Sequence, residues 1–209
     1  MIRIAIADDH PIVREGLRRI ASSGAGITVT GEASTATEMF RLLAAAPVDV
    51  VLLDVSMPGS TFVETLRELR KLHPSLKVLV LSVHPEDQWA MRALQAGASG
   101  YLTKDHSPEQ LVEAIRRVAK GGRYVSATLA ERLASLVDGG GTRAPHERLS
   151  GREFEVLRAL GGGMTVKDAA AALHLSAKTV STYRGRLLEK MGLKSKADLV
   201  RYVIEHELL

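Results

Sequence analysis

Val48-Asp-Val-Val-Leu-Leu-Asp54 decides the reading of this chain. The apolar run Val48–Leu53 has the near-continuous hydrophobicity of a strand covered on both faces, as strands of parallel sheets are, and it ends on a carboxylate. The segments on either side alternate. Upstream, Ile2–Ala7 reads as a short buried strand, Pro11–Ser22 sets Val13, Leu17 and Ile20 at helical spacing, Ile27–Gly31 is strand-like and Thr35–Ala45 helical. Downstream, Thr61–Leu72 is helical, Val78–Leu81 a buried strand, Glu86–Gln95 a helix and Ala98–Leu102 a fifth strand. Ser107–Lys120 is a fifth helix, opened by Ser-Pro-Glu and ended by Gly121-Gly122. Five strand–helix pairs in strict alternation predict a doubly wound α/β domain with a five-stranded parallel sheet. In such sheets function gathers at the carboxyl ends of the strands.

The remainder changes character. Ser126–Val137 suits a short helix, and Asp138-Gly-Gly-Gly-Thr-Arg-Ala-Pro145 reads as a flexible linker. An all-helical stretch follows: Ser150–Leu160 closed by Gly161–Gly163, Thr165–Leu173, a turn at His174-Leu175, Ser176 as a cap, Ala177–Met191 stopped by Gly192, and Ala197–Glu205. Two helices joined by so short a turn form a helix-turn-helix. The expected organisation is a domain over 1–122, a linker with a short helix over 123–146, and an all-α domain over 147–209.

Composition narrows the function classes. With 45% apolar and 25% charged residues the chain supports a folded core rather than disorder. It has no cysteine, which excludes disulfides and thiolate metal sites. The longest apolar runs, Val48–Val55 and Val78–Val83, fall far short of the ~20 residues of a membrane helix. With no signal-peptide pattern at its start, the chain is expected to be soluble and cytoplasmic. The net charge of +4 is unevenly placed: residues 1–122 carry 14 basic and 14 acidic residues, residues 147–209 carry 11 and 8. The excess sits with the helix-turn-helix, where a polyanionic partner would bind.

Asp8 and Asp9 end the first strand, Asp54 the third and Ser82 the fourth, and Lys104 follows the fifth, so all five are predicted to converge above one edge of the sheet. Three carboxylates at one place repel unless a cation joins them, and Mg²⁺ suits carboxylates and escorts phosphate. Lys104 would counter the charge of a phosphoryl group, Ser82 would donate to one of its oxygens, and an aspartate can itself form an acyl phosphate.

These residues carry a resemblance. Ala7-Asp8-Asp9-His10, Leu53-Asp54-Val-Ser-Met-Pro58-Gly59, Leu81-Ser82 and Gly97-Ala-Ser-Gly-Tyr101-Leu-Thr-Lys104-Asp105 resemble the receiver of the NarL/FixJ family of response regulators, in its GacA/UvrY-like branch. The resemblance implies a flavodoxin/CheY-like receiver with Asp54 as phosphoacceptor. It implies Mg²⁺ held by Asp9, Asp54 and the Ser56 backbone carbonyl, with Asp8 acting mainly through water. Ser82 and Lys104 would hold phosphoryl oxygens, and Tyr101 would be the aromatic switch that turns inward as Ser82 moves. The helix Glu86–Gln95 between them belongs to the same two-state element, and Trp89 on it reads as a surface or interface aromatic. One departure stands out: Phe62 occupies a position where the family commonly has glycine, so a backbone with φ > 0 would be strained there. That leaves either a rebuilt loop or altered phosphorylation kinetics.

Leu149-Ser150-Gly-Arg-Glu153-Phe-Glu155-Val-Leu157, Lys167-Asp168-Ala-Ala170, Leu175-Ser176-Ala-Lys178-Thr179-Val180-Ser-Thr-Tyr183-Arg184 and Lys190-Met-Gly192-Leu resemble the LuxR-type helix-turn-helix. On a helical wheel Val180, Leu187, Leu188 and Met191 form the core side, Lys178, Thr182, Gly185, Arg186 and Glu189 lie opposite, Ser181 borders them, and Arg184 falls toward the apolar side. The resemblance implies Ser181, Thr182 and Gly185 facing bases, with Lys178, Thr179, Tyr183, Arg186 and Lys190 on phosphates. Tyr183 stands where many relatives have histidine, and Gly185 weakens the helix by about 1 kcal/mol relative to alanine. The partners implied are a sensor histidine kinase, double-stranded DNA, a second copy in an active homodimer, and RNA polymerase, with no membrane. A phosphohydrolase of the haloacid dehalogenase type would place an Asp-x-Asp after its first strand, where this chain has adjacent Asp8-Asp9. A ligand-sensing LuxR regulator would lack the acidic cluster and the five-fold alternation. A regulator that works unphosphorylated is the third alternative, with Phe62 as its hint.

Overall fold

The computed structural model describes residues 1–57, 61–83, 86–127, 129–131, 144–206 and 208. The chain falls into two compact units, Met1–Gly140 and Gly141–Leu209. The first contains β1 (Ile2–Ala7), α1 (Pro11–Ser23), β2 (Ile27–Ala33), α2 (Ala36–Ala45), β3 (Val50–Asp54), α3 (Phe62–Leu72), β4 (Lys77–Ser82), α4 (Glu86–Ala96), β5 (Gly100–Thr103) and α5 (Pro108–Ala119). All strands are parallel, in the order β2-β1-β3-β4-β5. The order reverses between β1 and β3, and the crevice at that switch point is where such sheets bind ligands. The expected doubly wound α/β architecture is what the chain forms.

Local chemistry sets the boundaries. β3 is buried along its whole length, as its sequence demands, while the edge strand β2 alternates. Thr35, Thr61 and Ser107 each accept a hydrogen bond from the N–H three residues on, and Thr61–Glu64 and Ser107–Gln110 close reciprocal capping boxes. These hydroxyl residues stand just outside their helices, which is why the sequence reading starts the helices one residue early. β3 begins two residues later than the apolar run because Asp49 has another task. Its carboxylate accepts from the Arg3 backbone N–H at 2.8 Å, from Arg3 Nε at 3.0 Å and from an Arg3 terminal nitrogen at 2.6 Å, clamping β1 to the entry of β3.

β5 is not left as a bare edge. Tyr124 accepts the Tyr101 N–H at 3.0 Å and donates its own N–H to Ser99 at 3.1 Å. Position 100 must be glycine for this approach, since a Cβ there would meet the Tyr124 carbonyl at 2.7 Å. Of the helix expected over Ser126–Val137, residues 127 and 129–131 are helical; 132–143, with most of the expected linker, lie outside the described residues, as do Pro58 and Gly59.

Two aromatic expectations are corrected. Phe62 is the first residue of α3, and His174 is the only non-glycine with positive φ among the described residues. The Thr61 capping box sets Phe62 in helical backbone, so the expected strain is absent. Trp89 is a core residue rather than a surface aromatic. It is 5% exposed and Phe62 is 4% exposed, with ring centroids 5.1 Å apart at 48°. Phe62 fills the space over Trp89, joining α3 to α4.

The second unit opens with a 3₁₀ turn, Pro145–Arg148, followed by α6 (Gly151–Gly161), α7 (Val166–Ala172), α8 (Ala177–Met191) and α9 (Lys196–Glu205). Phe154, Leu157, Val180, Leu187, Leu199 and Val203 form its core. α8 ends at Gly192, whose φ of 67° is the left-handed cap that glycine adopts without steric penalty. Among the described residues no helix is long and apolar enough to cross a membrane.

Two outcomes are expected. Asp49 is held down to about pKa 2, chiefly by its hydrogen bonds to Arg3. A depressed carboxylate stabilises above its unfolded pKa and loses that contribution as pH falls through its folded pKa. The stability gap between wild type and Asp49→Asn, measured by urea unfolding, should therefore be full at neutral pH and close between pH ~4 and ~2. Phe62→Ala should cost about 3 kcal/mol in the same assay and shift Trp89 emission to the red as the indole loses its cover.

Candidate functional site

The crevice between β1 and β3 receives one carboxylate from each strand end. Asp8, one residue beyond β1, is 1% exposed and Asp54, the last residue of β3, is 2% exposed. Buried carboxylates at this spacing need positive charge, and Lys104, just past β5, supplies it. Its Nζ donates to Asp8 Oδ2 at 2.7 Å and lies 3.0 Å from Asp54 Oδ2. The second contact is an ion pair off the hydrogen-bonding axis, so Asp54 Oδ2 remains a buried oxygen without a hydrogen bond, as does Asp9 Oδ1. Asp54 Oδ1 accepts the Ser56 N–H at 3.2 Å, and Asp8 Oδ1 accepts the His10 N–H at 2.8 Å.

The strand ends also hold one another. Val55 N–H binds the Leu81 carbonyl at 3.3 Å, and Lys104 N–H binds the Ser82 carbonyl at 2.6 Å. Ser82 and Tyr101 are both buried, on adjacent strands. Burial pushes the Asp54 carboxyl above its ordinary range, with Lys104 pulling it down and Asp8 adding to the rise. Burial opposes the charge on Lys104, but its hydrogen bond to Asp8 and its close ion pair with Asp54 overturn that and raise its pKa.

The set fits a divalent cation. One ligand atom from each of Asp8, Asp9, His10 and Asp54 lies within 4.8 Å of the others. Three carboxylates against one ammonium leave two unbalanced negative charges at the site. Those are the conditions in which an oxygen-ligated divalent ion is favoured.

In the second unit Ser176 caps α8 by accepting from Thr179 N–H at 3.0 Å. Lys178, Ser181, Thr182, Gly185 and Arg186 are exposed along one side, with Thr179 and Tyr183 half-buried at its margins. A Cβ built at Gly185 meets nothing within 4 Å, so that face is open. Opposite, Val180, Leu187 and Met191 are buried and Leu188 half-buried, while Arg184 is exposed. The His174 turn between α7 and α8 is fixed by His174 N–H to Ala171 and Leu175 N–H to Ala170, at 3.2 and 2.8 Å.

Comparison with known proteins agrees with both units. Residues 4–116 match the response regulator receiver domain, and residues 147–203 match the bacterial regulatory proteins of the luxR family. The chain belongs to the response regulators. Over its whole length it is 37% identical to the response regulator UvrY of Escherichia coli K12, covering 96% of that protein. It is 36% identical to the response regulator GacA of Pseudomonas aeruginosa, again over its whole length and covering 98% of that protein. Among solved structures, RcsB of Salmonella enterica serovar Typhimurium, bound to the rprA promoter in the presence of phosphomimetic BeF₃⁻, is 28% identical. That match has a TM-score of 0.67 and covers 97% of this chain and 98% of that one. This response regulator thus combines a CheY-like receiver with a LuxR-type DNA-binding domain.

Of the residues marked from sequence in this response regulator, Asp8, Asp9, Asp54 and Lys104 come together directly, and Ser82 reaches the group through its backbone bond to Lys104. Lys190 is drawn elsewhere. Its ammonium donates to Glu153 Oε2 at 2.7 Å, and that carboxylate also closes the capping box of α6 on Ser150 N–H at 2.7 Å. Glu153 is buried and held below its ordinary range despite burial, through Lys190 and Ser150. Sequence reading missed this strut between α6 and α8, although Ser150-x-x-Glu153 carries the capping-box spacing. It also missed the cluster in which His146 Nδ1 lies 2.9 Å from the Tyr202 hydroxyl and Tyr202 stacks on His206 at 4.0 Å. The i, i+4 spacing of Tyr202 and His206, the residue that caps the end of α9, was the available signal.

Lys190→Ala should therefore destabilise the C-terminal unit by about 1–2 kcal/mol while leaving the salt slope of DNA binding unchanged. Lys178→Ala should do the reverse, lowering the slope of log K against log salt by about 1. Thermal unfolding together with anisotropy titrations on promoter DNA separates the two.

Proposed function

We propose that this response regulator takes a phosphoryl group from a sensor histidine kinase onto Asp54, and that this modification controls sequence-specific DNA binding and transcription. The observation that carries the reading is the Lys104 ammonium, placed between buried Asp8 and buried Asp54. In the transfer, an Asp54 oxygen forms a bond to phosphorus as the P–N bond of the donor phosphoimidazole breaks. The bonding pair stays with the donor nitrogen, and the product is an acyl phosphate on Asp54. Asp8, Asp9, Asp54 and the Ser56 carbonyl would hold Mg²⁺, which when bound neutralises phosphoryl charge. Lys104 is close enough to redirect from the Asp54 carboxylate to a phosphoryl oxygen, and the Ser82 hydroxyl to donate to a second. The chain needs no other enzymatic activity than this self-modification and its reversal.

Phosphorylation shifts the protein between two pre-existing conformations. The elements best placed to differ are Ser82, Tyr101 and α4, and the connector begins on them. Tyr124 is bonded to the Tyr101 backbone, and Ser126 N–H donates to Glu86 Oε1 at the start of α4 at 3.0 Å. A shift of Tyr101 or α4 is thereby felt at the first residues of the linker. We take 1–122 as the receiver, 123–146 as the linker and 147–209 as the DNA-binding domain of a cytoplasmic protein.

α8 is the element proposed to enter the major groove, with Ser181, Thr182 and Gly185 toward bases and Lys178, Thr179, Tyr183 and Arg186 on phosphates. Lys190, occupied by Glu153, has less to give to a phosphate than its neighbours. Paired half-sites call for a homodimer in the active form, and transcription control for contact with RNA polymerase.

Incubation with acetyl phosphate and Mg²⁺, followed by mass spectrometry, should place one phosphoryl adduct on Asp54, and promoter affinity should change with it. Asp54→Asn should abolish both. A wild-type protein that forms no adduct from acetyl phosphate or from a kinase would refute the reading.

A further inference from the structure

We propose that Thr182 and the bare backbone at Gly185 form the base-reading contact of α8, and that this contact takes the C5-methyl group of thymine. The inference rests on the reading of α8 given above and deepens it. Lys178, Ser181, Thr182, Gly185 and Arg186 are all exposed on one side of the helix. Lys178 and Arg186 stand one turn before and one turn after Thr182, about 12 Å apart along the axis. The major groove is about as wide, so the two cations suit the phosphates that flank it. A base edge between them meets only what Ser181, Thr182 and Gly185 present. None of these carries the paired hydrogen-bonding groups with which Arg, Asn or Gln recognises a base.

The Thr182 hydroxyl is already turned back on its own helix. Its Oγ1 donates to the Lys178 backbone carbonyl at 3.0 Å, so the proton is spent and the γ-methyl is the group left to meet a base. Gly185 follows three residues later and therefore lies beside Thr182 on the same face. A Cβ built there meets nothing within 4 Å. A methyl beside an empty position makes a shallow apolar seat. Thymine is the base that shows a methyl group in the major groove, so such a seat favours it over the other three. Alanine at position 185 would suit the helix better, but its methyl would fill the seat.

The test uses full-length protein treated with acetyl phosphate and Mg²⁺. Its preferred duplex is selected from a randomised DNA pool, and affinities are read by anisotropy. Thymines of that duplex are then replaced one at a time by deoxyuridine, which removes only the methyl. In wild type, one such replacement in a half-site should weaken binding about fourfold. Thr182→Ser should bind the unmodified duplex about fourfold more weakly and be indifferent to the replacement. Thr182→Val keeps the methyl and should keep the discrimination. Gly185→Ala should raise the unfolding temperature yet weaken binding, because its methyl occupies the seat. Discrimination that persists in Thr182→Ser or vanishes in Thr182→Val would overturn the proposal, as would an unchanged affinity in Gly185→Ala. Wild type that selects a sequence but ignores every methyl removal refutes this inference only. Wild type that selects no sequence refutes the reading of α8 itself, and this inference with it.

Discussion

Lys104 sits where two buried carboxylates would otherwise repel, and the arrangement of the receiver follows from that pairing. Asp8 and Asp54 come from neighbouring strands at the point where sheet order reverses, so their proximity is a product of topology rather than of local sequence. Neither is stable there as an anion without the ammonium from beyond β5. The ion triad therefore joins the ends of β1, β3 and β5, and the Lys104 N–H bond to Ser82 adds β4. A new charge on Asp54 must disturb this balance, and every strand that contributes to it registers the change.

The DNA-binding unit uses the same device for a different end. Glu153 is buried, caps α6 and holds Lys190 of α8, so a single carboxylate ties the start of α6 to the helix proposed to meet DNA. In the receiver the cation is shared between two carboxylates proposed to take part in phosphoryl transfer. Here the carboxylate is saturated by a cap and a lysine, and the arrangement is structural.

The fold was legible because burial on both faces leaves a mark. Val50 to Leu53 is apolar without interruption, and the spacing of carboxylates at strand ends follows from parallel topology. What escaped reading depended on partners distant in sequence. Asp49 looks like an interruption in a strand until Arg3, 46 residues away, is beside it. Phe62 looks like a strained substitution until the Thr61 cap and Trp89 give it a helical backbone and a neighbour. Trp89 itself, on a short helix with weak periodicity, carried no sign of its burial. Lys190 matched a motif for phosphate contact, and only the fold brings Glu153 to it.

The backbone bonds between Tyr124 and β5 bear on how such proteins can be recombined. Modular shuffling favours joints that leave each module complete, and the match to the receiver domain ends at residue 116. Cutting there, or at Gly122, would strip the last strand of its cover and leave Tyr101 N–H and the Ser99 carbonyl open as a template for another chain. The physical seam lies past Ser126, beyond the bonds to β5 and α4. A chimaera that keeps the partner of Tyr101 inherits a finished sheet edge, and one joined earlier inherits a surface prone to self-association.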